Sequence, residues 1–251
     1  MSLRSVPFLS VLCLFVLFLA TACTNETAAP ATTHAEAPAA TASRPVAAEP
    51  APAATPDVPT GPAPVAGIDY AEIPDGHRYG AADDRIEVVE VFSYTCPHCA
   101  RFEPLLLEWR ARQPADVQFV PVAGPFGANP EPFVRAFYAA ESLGVRARTH
   151  ESVFDALHVS GRLDPMRATP QTIAALYAQA GVDPAQFVVA MGSPATNDAI
   201  RHATDFIIRS GVDGTPAIVV DGKYRVTGKT MEDMLRIATH LVARERAARG
   251  G

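Results

Sequence analysis

A short apolar segment, followed at once by two closely spaced cysteines, most limits what this chain can fold into. Residues 85–95 read RIEVVEVFSYT, and the tetrapeptide Cys-Pro-His-Cys occupies 96–99. The β-branched run predicts a strand over 86–92, and Pro97 fits the first position of a helix, where no N–H bond is lost. The pattern therefore predicts a strand that delivers Cys96 to the N-terminus of a helix.

The two cysteines of this segment suit the exchange of a disulfide. A Cys96 thiolate is stabilised there by unpaired backbone N–H groups and by the helix macrodipole. Cys99 lies one turn further on, within reach of a disulfide bond. We assign Cys96 as the candidate nucleophile and Cys99 as the resolving thiol. The alternatives are a passive disulfide or half of a zinc site, but zinc needs about four ligands and the chain has no second Cys-x-x-Cys.

The first residues have the features of an export signal. Residues 1–22 contain Arg4, an apolar core from Val6 to Ala20, and small residues before Cys23. Residues 20–23, Ala-Thr-Ala-Cys, resemble the lipobox of bacterial lipoproteins, whose cysteine receives a diacylglyceryl anchor. An ordinary signal peptidase would cut the same bond. We expect lipidation of Cys23, because a secreted chain rarely begins with a free, oxidisable thiol.

A second compositional region separates the signal from the folded part. Residues 23–66 are rich in proline, alanine and threonine and have few large apolar side chains. Such a segment buries too little surface to fold, so we expect a disordered tether with an outer reach of roughly 130 Å. The alternative is that this region has no role beyond spacing. The folded region, 67–251, has no basic stripe, so no nucleic-acid partner is expected.

The folded region alternates strand and helix patterns in an order that limits its topology. Strands are expected at 69–73, 86–92 and 117–123, with a hairpin of 216–220 and 223–227 around an Asp-Gly turn. Helices are expected at 97–113, 131–143, 148–158, 170–180, 184–191, 195–210 and 231–248. Without the five central helices the order is β-α-β and then β-β-α. The pattern predicts a small mixed sheet with a helical insertion over about 126–210.

This order and two motifs resemble the thioredoxin superfamily and, within it, the DsbA-type thiol:disulfide oxidoreductases. The segment Phe-Ser-Tyr-Thr-Cys-Pro-His-Cys at 92–99 is similar to that family's active-site segment. Gly-Thr-Pro at 214–216, followed by Val-Asp-Gly-Lys-Tyr at 220–224, is similar to its cis-proline loop and hairpin. The resemblance covers about 68–248. It implies an α/β thioredoxin fold with a helical domain inserted between the βαβ and ββα halves.

Further site residues follow from the motif and the resemblance. Pro97 and His98 lie between the cysteines, and His98 favours the thiolate as a donor or partial cation near the sulfur. Pro216 resembles the cis-proline that faces the disulfide, which orients the Thr215 backbone to pair with an extended substrate segment. Without the resemblance, a solvated histidine and a trans proline opening a strand would be the default interpretations.

Glu90 lies inside the apolar strand and, by alternation, shares a face with Val88 and Phe92. A buried carboxylate is costly unless it is partnered or protonated, and a raised pKa suits proton exchange with Cys99. The family has an acid at this place; the alternative is an exposed glutamate at a sheet edge. In some members a basic side chain on the second strand pairs with a buried acid near the cysteines. Residues 117–123 contain none, so we expect a thinner charge network.

These features favour an exported, membrane-tethered thiol:disulfide interchange enzyme that donates its Cys96–Cys99 disulfide. No cofactor beyond this disulfide and no metal are expected. The resemblance implies reduced, unfolded secreted proteins as substrates and a DsbB-type quinone-linked membrane oxidase as the second partner. We expect a monomer in the periplasm of a Gram-negative bacterium, lipid-anchored to a membrane.

Two other functions remain open at this point. A disulfide reductase or isomerase would share the fold, although isomerases of this superfamily usually carry a separate dimerisation domain and residues 67–84 are too short for one. Thr215, rather than an aliphatic residue before the proline, keeps this alternative open. A chaperone-like binding lipoprotein with incidental cysteines is the third hypothesis.

Overall fold

Strands and helices follow each other in the expected order in the computed structural model, which describes residues 58–250. The expected signal peptide 1–22 and Cys23 lie outside the described residues. In chain order the elements are β1 (Tyr70–Glu72), β2 (Ile86–Phe92), α1 (Pro97–Ala111), β3 (Val117–Ala123), α2 (Glu131–Ser142), α3 (Arg146–His158), α4 (Pro170–Tyr177), a 3-10 turn (Ala178–Ala180), α5 (Pro184–Met191), α6 (Pro194–Arg209), β4 (Ala217–Val220), β5 (Tyr224–Val226) and α7 (Met231–Arg249).

The strands form one mixed sheet with the order β1-β5-β4-β2-β3. The central strand β2 runs parallel to β3, with Ile86 opposite Val117, and antiparallel to β4, with Val88 opposite Val220. Every residue of β2 is buried, as expected for a strand with neighbours on both sides and helices on both faces. The first half, β2-α1-β3, and the last, β4-β5-α7, are the βαβ and ββα units predicted from the sequence, so the thioredoxin fold is confirmed.

Two hydrophobic clusters cover the two faces of this sheet. One joins the strands to α1 and α7 through large side chains such as Phe102, Leu106, Trp109 and Ile237. The other joins them to the helices α2–α6, which are inserted between β3 and β4 as expected. Three of these helices begin with a capping residue followed by proline, and the capping side chains of Thr169, Asp183 and Ser193 each accept a backbone N–H of the first turn.

The hairpin between β4 and β5 turns at the predicted Asp-Gly pair. Asp221 and Gly222 both have positive φ, at 51° and 65°, and the N–H of Lys223 donates to the carbonyl of Val220 across them, as in the type I′ turn whose twist matches that of the strands. Glycine is also needed for space, because a Cβ at 222 would lie 2.3 Å from the carbonyl carbon of His77. The turn therefore lies in close contact with the backbone of the chain segment that precedes β2.

Part of the segment assigned to the tether contacts α7. Arg236 on α7 donates to the carbonyl of Pro62, and His240 donates to the carbonyl of Thr60 at 3.2 Å. Proline lacks an N–H but keeps its carbonyl, so this segment docks through polar contacts that an argument from apolar burial overlooks. Thr60 and Pro62 thus lie against α7. No helix within residues 58–250 has the length and apolar character that crossing a membrane requires.

Candidate active site

Cys96 occupies the N-cap position of α1, directly after the central strand. Its backbone is extended, with φ −90° and ψ 116°, and its carbonyl accepts the N–H of Ala100 at 3.2 Å. Pro97 takes the first helical position, where a missing N–H leaves no helical bond unmade. Both thiols are free, and Cys96 is 9% exposed whereas Cys99 is fully buried. The position of Cys96 at the start of the helix therefore leaves its sulfur partly accessible, whereas the sulfur of Cys99, within the helix, is buried.

The two thiols have opposite acidities. The hydrogen bond from Cys99 lowers the pKa of Cys96 to about 4, helped by Thr215 and by backbone N–H groups at the start of α1, and opposed by burial. The same hydrogen bond, with burial and the charge of Glu90, raises the pKa of Cys99 well above its usual value. At neutral pH Cys96 is therefore a thiolate and Cys99 a thiol, which suits a nucleophile and a resolving thiol.

The loop before β4 faces the reactive sulfur. The Thr215–Pro216 peptide bond is cis, as the resemblance implies, and the thiol of Cys96 lies 3.4 Å from the carbonyl oxygen of Thr215. An open groove runs on from this contact and is lined by His98, Thr215, Pro216, Lys229, Met231 and Met234, among others. The structure thus brings Cys96 together with both residues predicted to contact substrate.

The side chain of His98 contacts Arg101. Its Nδ1 lies 2.9 Å from a guanidinium nitrogen of Arg101. Since arginine can only donate, this ring nitrogen accepts in that contact. The backbone N–H of His98 also lowers the pKa of Cys96, and the part that the imidazole takes in tuning the sulfur stays a prediction.

Glu90 lies fully inside the protein, below the cysteines. It is 1% exposed, and neither carboxyl oxygen has a hydrogen-bond partner among the described residues. Burial and then the charge of Glu103 raise its pKa well above the usual range, while Arg110 acts in the opposite direction. The alternative of an exposed edge glutamate is wrong, and the raised pKa favours the protonated form of Glu90. Because the Glu90 charge raises the pKa of Cys99, the two groups are electrostatically coupled.

Three residues near the site escaped the sequence-based interpretation. Glu103 on α1 is buried and lies one helical turn after Cys99, a spacing that was visible in the sequence. His150 on α3 is buried close to Glu103, and Tyr94, just before the nucleophile, contacts His150. A histidine within an apolar helix face is ordinarily part of a core. The charge network is therefore supplied by helices, although β3 contributes no basic residue.

A thiol of lowered pKa beside one of raised pKa is the arrangement of a dithiol–disulfide redox enzyme. The sheet with its helical insertion assigns that enzyme to the thioredoxin superfamily. Residues 72–238 match a protein-family model described as Thioredoxin. A thiol:disulfide interchange protein DsbA from Azotobacter vinelandii is 36% identical over 185 residues, 72% of this chain and 85% of that protein. The DsbA of Pseudomonas aeruginosa is 37% identical over 167 residues, 65% of this chain and 78% of that protein.

Solved structures agree with these relatives. The crystal structure of the oxidoreductase DsbA from Xylella fastidiosa is 45% identical, has a TM-score of 0.71, and covers 73% of this chain and 98% of its own. That of Pseudomonas aeruginosa DsbA is 35% identical, with a TM-score of 0.67 and coverage of 74% and 97%. The chain belongs to the DsbA family of thiol:disulfide oxidoreductases, and its activity is thiol:disulfide interchange.

Proposed function

We propose that this enzyme works as an exported donor of disulfides, with all of its redox capacity in the Cys96–Cys99 pair and no further cofactor. The observation that carries the proposal is the lowered pKa of Cys96, to about 4. A stable thiolate favours the reduced enzyme, and a disulfide whose reduced form is favoured is a strong oxidant. The direction of transfer is therefore from the enzyme to its substrate.

The acidities of the two thiols account for each step. A substrate thiolate attacks the Cys96 sulfur, the Cys96–Cys99 bond breaks, and Cys99 leaves with the electron pair. Its high pKa makes it take up a proton, and we infer that Glu90, whose pKa is raised by burial, supplies it. A second substrate thiolate then attacks the substrate sulfur of the mixed disulfide and releases Cys96 as a thiolate. The substrate loses two electrons and the enzyme gains them.

The groove beside Cys96 supports the proposal that the substrates are reduced, unfolded secreted proteins, which bind in an extended conformation. Thr215 and Pro216 stand at its inner end, next to the sulfur, and Met231 and Met234 are among its lining residues. Methionines adapt to different apolar side chains, which suits an enzyme that meets many sequences. In this proposal Thr215 positions the substrate backbone, and Pro97 and His98 tune the thiolate.

The compartment and partners belong to the same proposal. The apolar core of residues 1–22 and the lipobox-like segment before Cys23 support export to the periplasm of a Gram-negative bacterium and a lipid anchor. A DsbB-type quinone-linked membrane oxidase would return the enzyme, a monomer, to its disulfide form. The proline-rich segment would hold the catalytic domain near the membrane while it reaches its substrates.

One pair of assays tests the direction of transfer. Purified oxidised enzyme should oxidise a reduced, unfolded protein in stoichiometric amounts, and the Cys99→Ala variant should trap mixed disulfides through Cys96. A reduction potential near that of thioredoxin, with efficient insulin reduction, would support the reductase or isomerase alternative instead. Absence of any trapped species, with aggregation of a client protein still suppressed, would support the chaperone-like alternative.

The anchor has its own test. In cells given radiolabelled palmitate, the natural chain should carry label and sediment with membranes, whereas the Cys23→Ser variant should do neither. Release of the unlabelled natural chain into the periplasmic fraction would contradict lipidation and leave the redox activity unaffected.

A further inference from the structure

Two exposed basic residues border the groove that opens beside Cys96. Lys229 is one of its lining residues, and His98 is another. Arg101 lies one helical turn after His98 on α1, with a guanidinium nitrogen 2.9 Å from Nδ1 of the imidazole. Both basic side chains are exposed. His98 therefore connects them, because its ring contacts Arg101 and lines the same groove as Lys229.

The backbone that carries Lys229 is fixed, although its side chain is exposed. The N–H of Lys229 donates to the carboxylate of Asp233 at 3.3 Å, and Thr230 accepts the N–H of Asp233 at 3.0 Å as the N-cap of α7. A Cβ at position 228 would lie 2.8 Å from the backbone nitrogen of Met234, so Gly228 packs directly on that helix. The lysine is thus held at a defined place on the border of the groove.

Neither of the two basic side chains forms an ion pair within residues 58–250. The carboxylate that senses the Lys229 charge, that of Asp233, already accepts two hydrogen bonds from Arg236, at 3.0 and 2.7 Å. The guanidinium of Arg101 contacts an imidazole instead of a carboxylate. The whole chain has a formal net charge of −6, so two unpaired cations beside the reactive sulfur run against its overall charge.

The acidic residue of the groove lining lies on another side. Glu232 lines the groove and also the neighbouring cavity between α1 and α7, beside Trp109. His98 and Lys229 line the groove and not that cavity. Glu232 therefore lies where the two hollows meet, and the end of the groove next to His98 is the positively charged one.

This charge distribution selects among substrates. Exposed opposite charges attract each other modestly, and they raise the rate of association more than the final affinity. A reduced substrate attacks Cys96 as a thiolate, so an acidic side chain beside its cysteine would meet the same two cations. We propose that Arg101 and Lys229 are specificity-determining residues, which favour reduced polypeptide segments with an acidic residue next to the attacking cysteine. The inference rests on the proposed function and names the class of substrate that the groove accepts best.

The test compares peptides of one sequence that contain two cysteines and differ only in the residues on both sides of the first, which are glutamate, glutamine or lysine. The oxidised full chain is mixed with each peptide, and the loss of peptide thiols gives a second-order rate constant. Each constant is divided by that for the same peptide with the neutral disulfide of 2-mercaptoethanol, which corrects for the acidity of the peptide thiol itself. The glutamate peptide should react about two- to fivefold faster than the glutamine peptide. This ratio should approach one at about 1 M salt.

Charge-removing variants assign the preference to the two residues. Lys229→Gln and Arg101→Gln should each lower the ratio, and the double variant should bring it to about one. Arg148→Gln is the matched control, because Arg148 on α3 is exposed, lies outside the groove lining and binds the carbonyl of Ala180 instead of a carboxylate. This variant should leave the ratio unchanged. A general change in the reactivity of the Cys96 sulfur affects all peptides equally and cancels in the ratio.

Three results overturn the inference. They are equal corrected rates for the three peptides with the natural chain, an unchanged ratio in the double variant, and an equal loss of preference in Arg148→Gln. Its failure is distinguishable from that of the proposed function. Oxidation of all peptides at one rate removes only the charge preference, whereas oxidation of none of them removes the proposed function and this inference together.

Discussion

At the scale of single residues, one thiol links the stability of the protein to pH. The folded reduced protein lowers the pKa of Cys96 from 9.0 to about 4. A lowered pKa stabilises the fold fully above the unfolded value and not at all below the folded one. Between these limits the free energy of unfolding of the reduced protein should rise with pH by about 1.4 kcal/mol per pH unit relative to the oxidised protein, which lacks the thiol.

Urea unfolding of both redox forms between about pH 5 and about pH 8 measures this difference. The oxidised protein is the control, because it lacks only the two thiols, and the raised pKa of Cys99 keeps that thiol from titrating in this range. Stability curves that stay parallel across this range would contradict a strongly acidic Cys96.

Glu90 should cost stability in return for its chemistry. Because its oxygens have no partner among the described residues, Glu90→Leu should raise the free energy of unfolding of the oxidised protein by about 1–3 kcal/mol. The same variant should slow the steps in which Cys99 gains or loses a proton, measured as the rate of mixed-disulfide resolution. Glu90→Gln, which remains polar, should slow these steps without stabilising the protein. Loss of stability in Glu90→Leu would show that the carboxyl has a partner.

Much of the site could be predicted from local sequence because its central residues are contiguous. The strand, Pro97 and the cysteine spacing of 96–99 determine where the sulfurs stand. Glu103 and His150 could not be assigned in the same way, because their role depends on a contact between α1 and a helix far along the chain. The contact between Arg101 and the ring of His98 was not anticipated from the motif, although the two residues are three apart on one helix.

At the scale of elements, α1 and α7 are joined by a buried polar contact. The indole N–H of Trp109 donates to the hydroxyl of Thr239 at 2.9 Å, and that hydroxyl donates to the carbonyl of Leu235. Thr239→Val leaves the buried indole N–H without an acceptor and should lower the free energy of unfolding by about 1–3 kcal/mol. Urea unfolding measures it.

Thr204→Val on α6 is the matched control. The hydroxyl of Thr204 donates to the carbonyl of Ile200 in the same helical geometry. The indole N–H of the chain's single tryptophan bonds Thr239 instead. This variant should change stability by less than about 0.5 kcal/mol. Equal losses in the two variants would assign the effect to the helix rather than to the indole contact.

Elements with strong patterns were predicted to the residue, and their ends less well. The strands 86–92 and 117–123 and the helix 184–191 agree with the structure, because β-branched runs and capping Asp-Pro pairs are local signals. The helix expected at 170–180 ends at Tyr177 and tightens into a 3-10 turn before Gly181, whose φ is 77°. A 3-10 turn is a frequent ending of an α-helix, and the apolar spacing in the sequence does not distinguish the two.

At the scale of the whole molecule, the described segment before β1 should add measurable stability. A chain beginning at Gly67 loses the carbonyls that bind Arg236 and His240, and its free energy of unfolding should fall by about 1 kcal/mol relative to a chain beginning at Val58. Urea unfolding compares the two. Replacing both Arg236 and His240 by leucine should remove the difference, and a difference that persists would contradict docking through these two side chains.

The outer strand β3 has a consequence if the enzyme acts on unfolded proteins, as proposed above. It borders the sheet on one side, and Pro121 interrupts it opposite Glu90. Proline is tolerated in such a border strand where its missing amide hydrogen faces away from the neighbouring strand. An unfolded polypeptide therefore cannot form a continuous row of backbone hydrogen bonds along β3, which disfavours aggregation of the enzyme with its substrate. Contact with the substrate is then confined to the groove beside the Cys96 sulfur, where disulfide exchange releases the substrate.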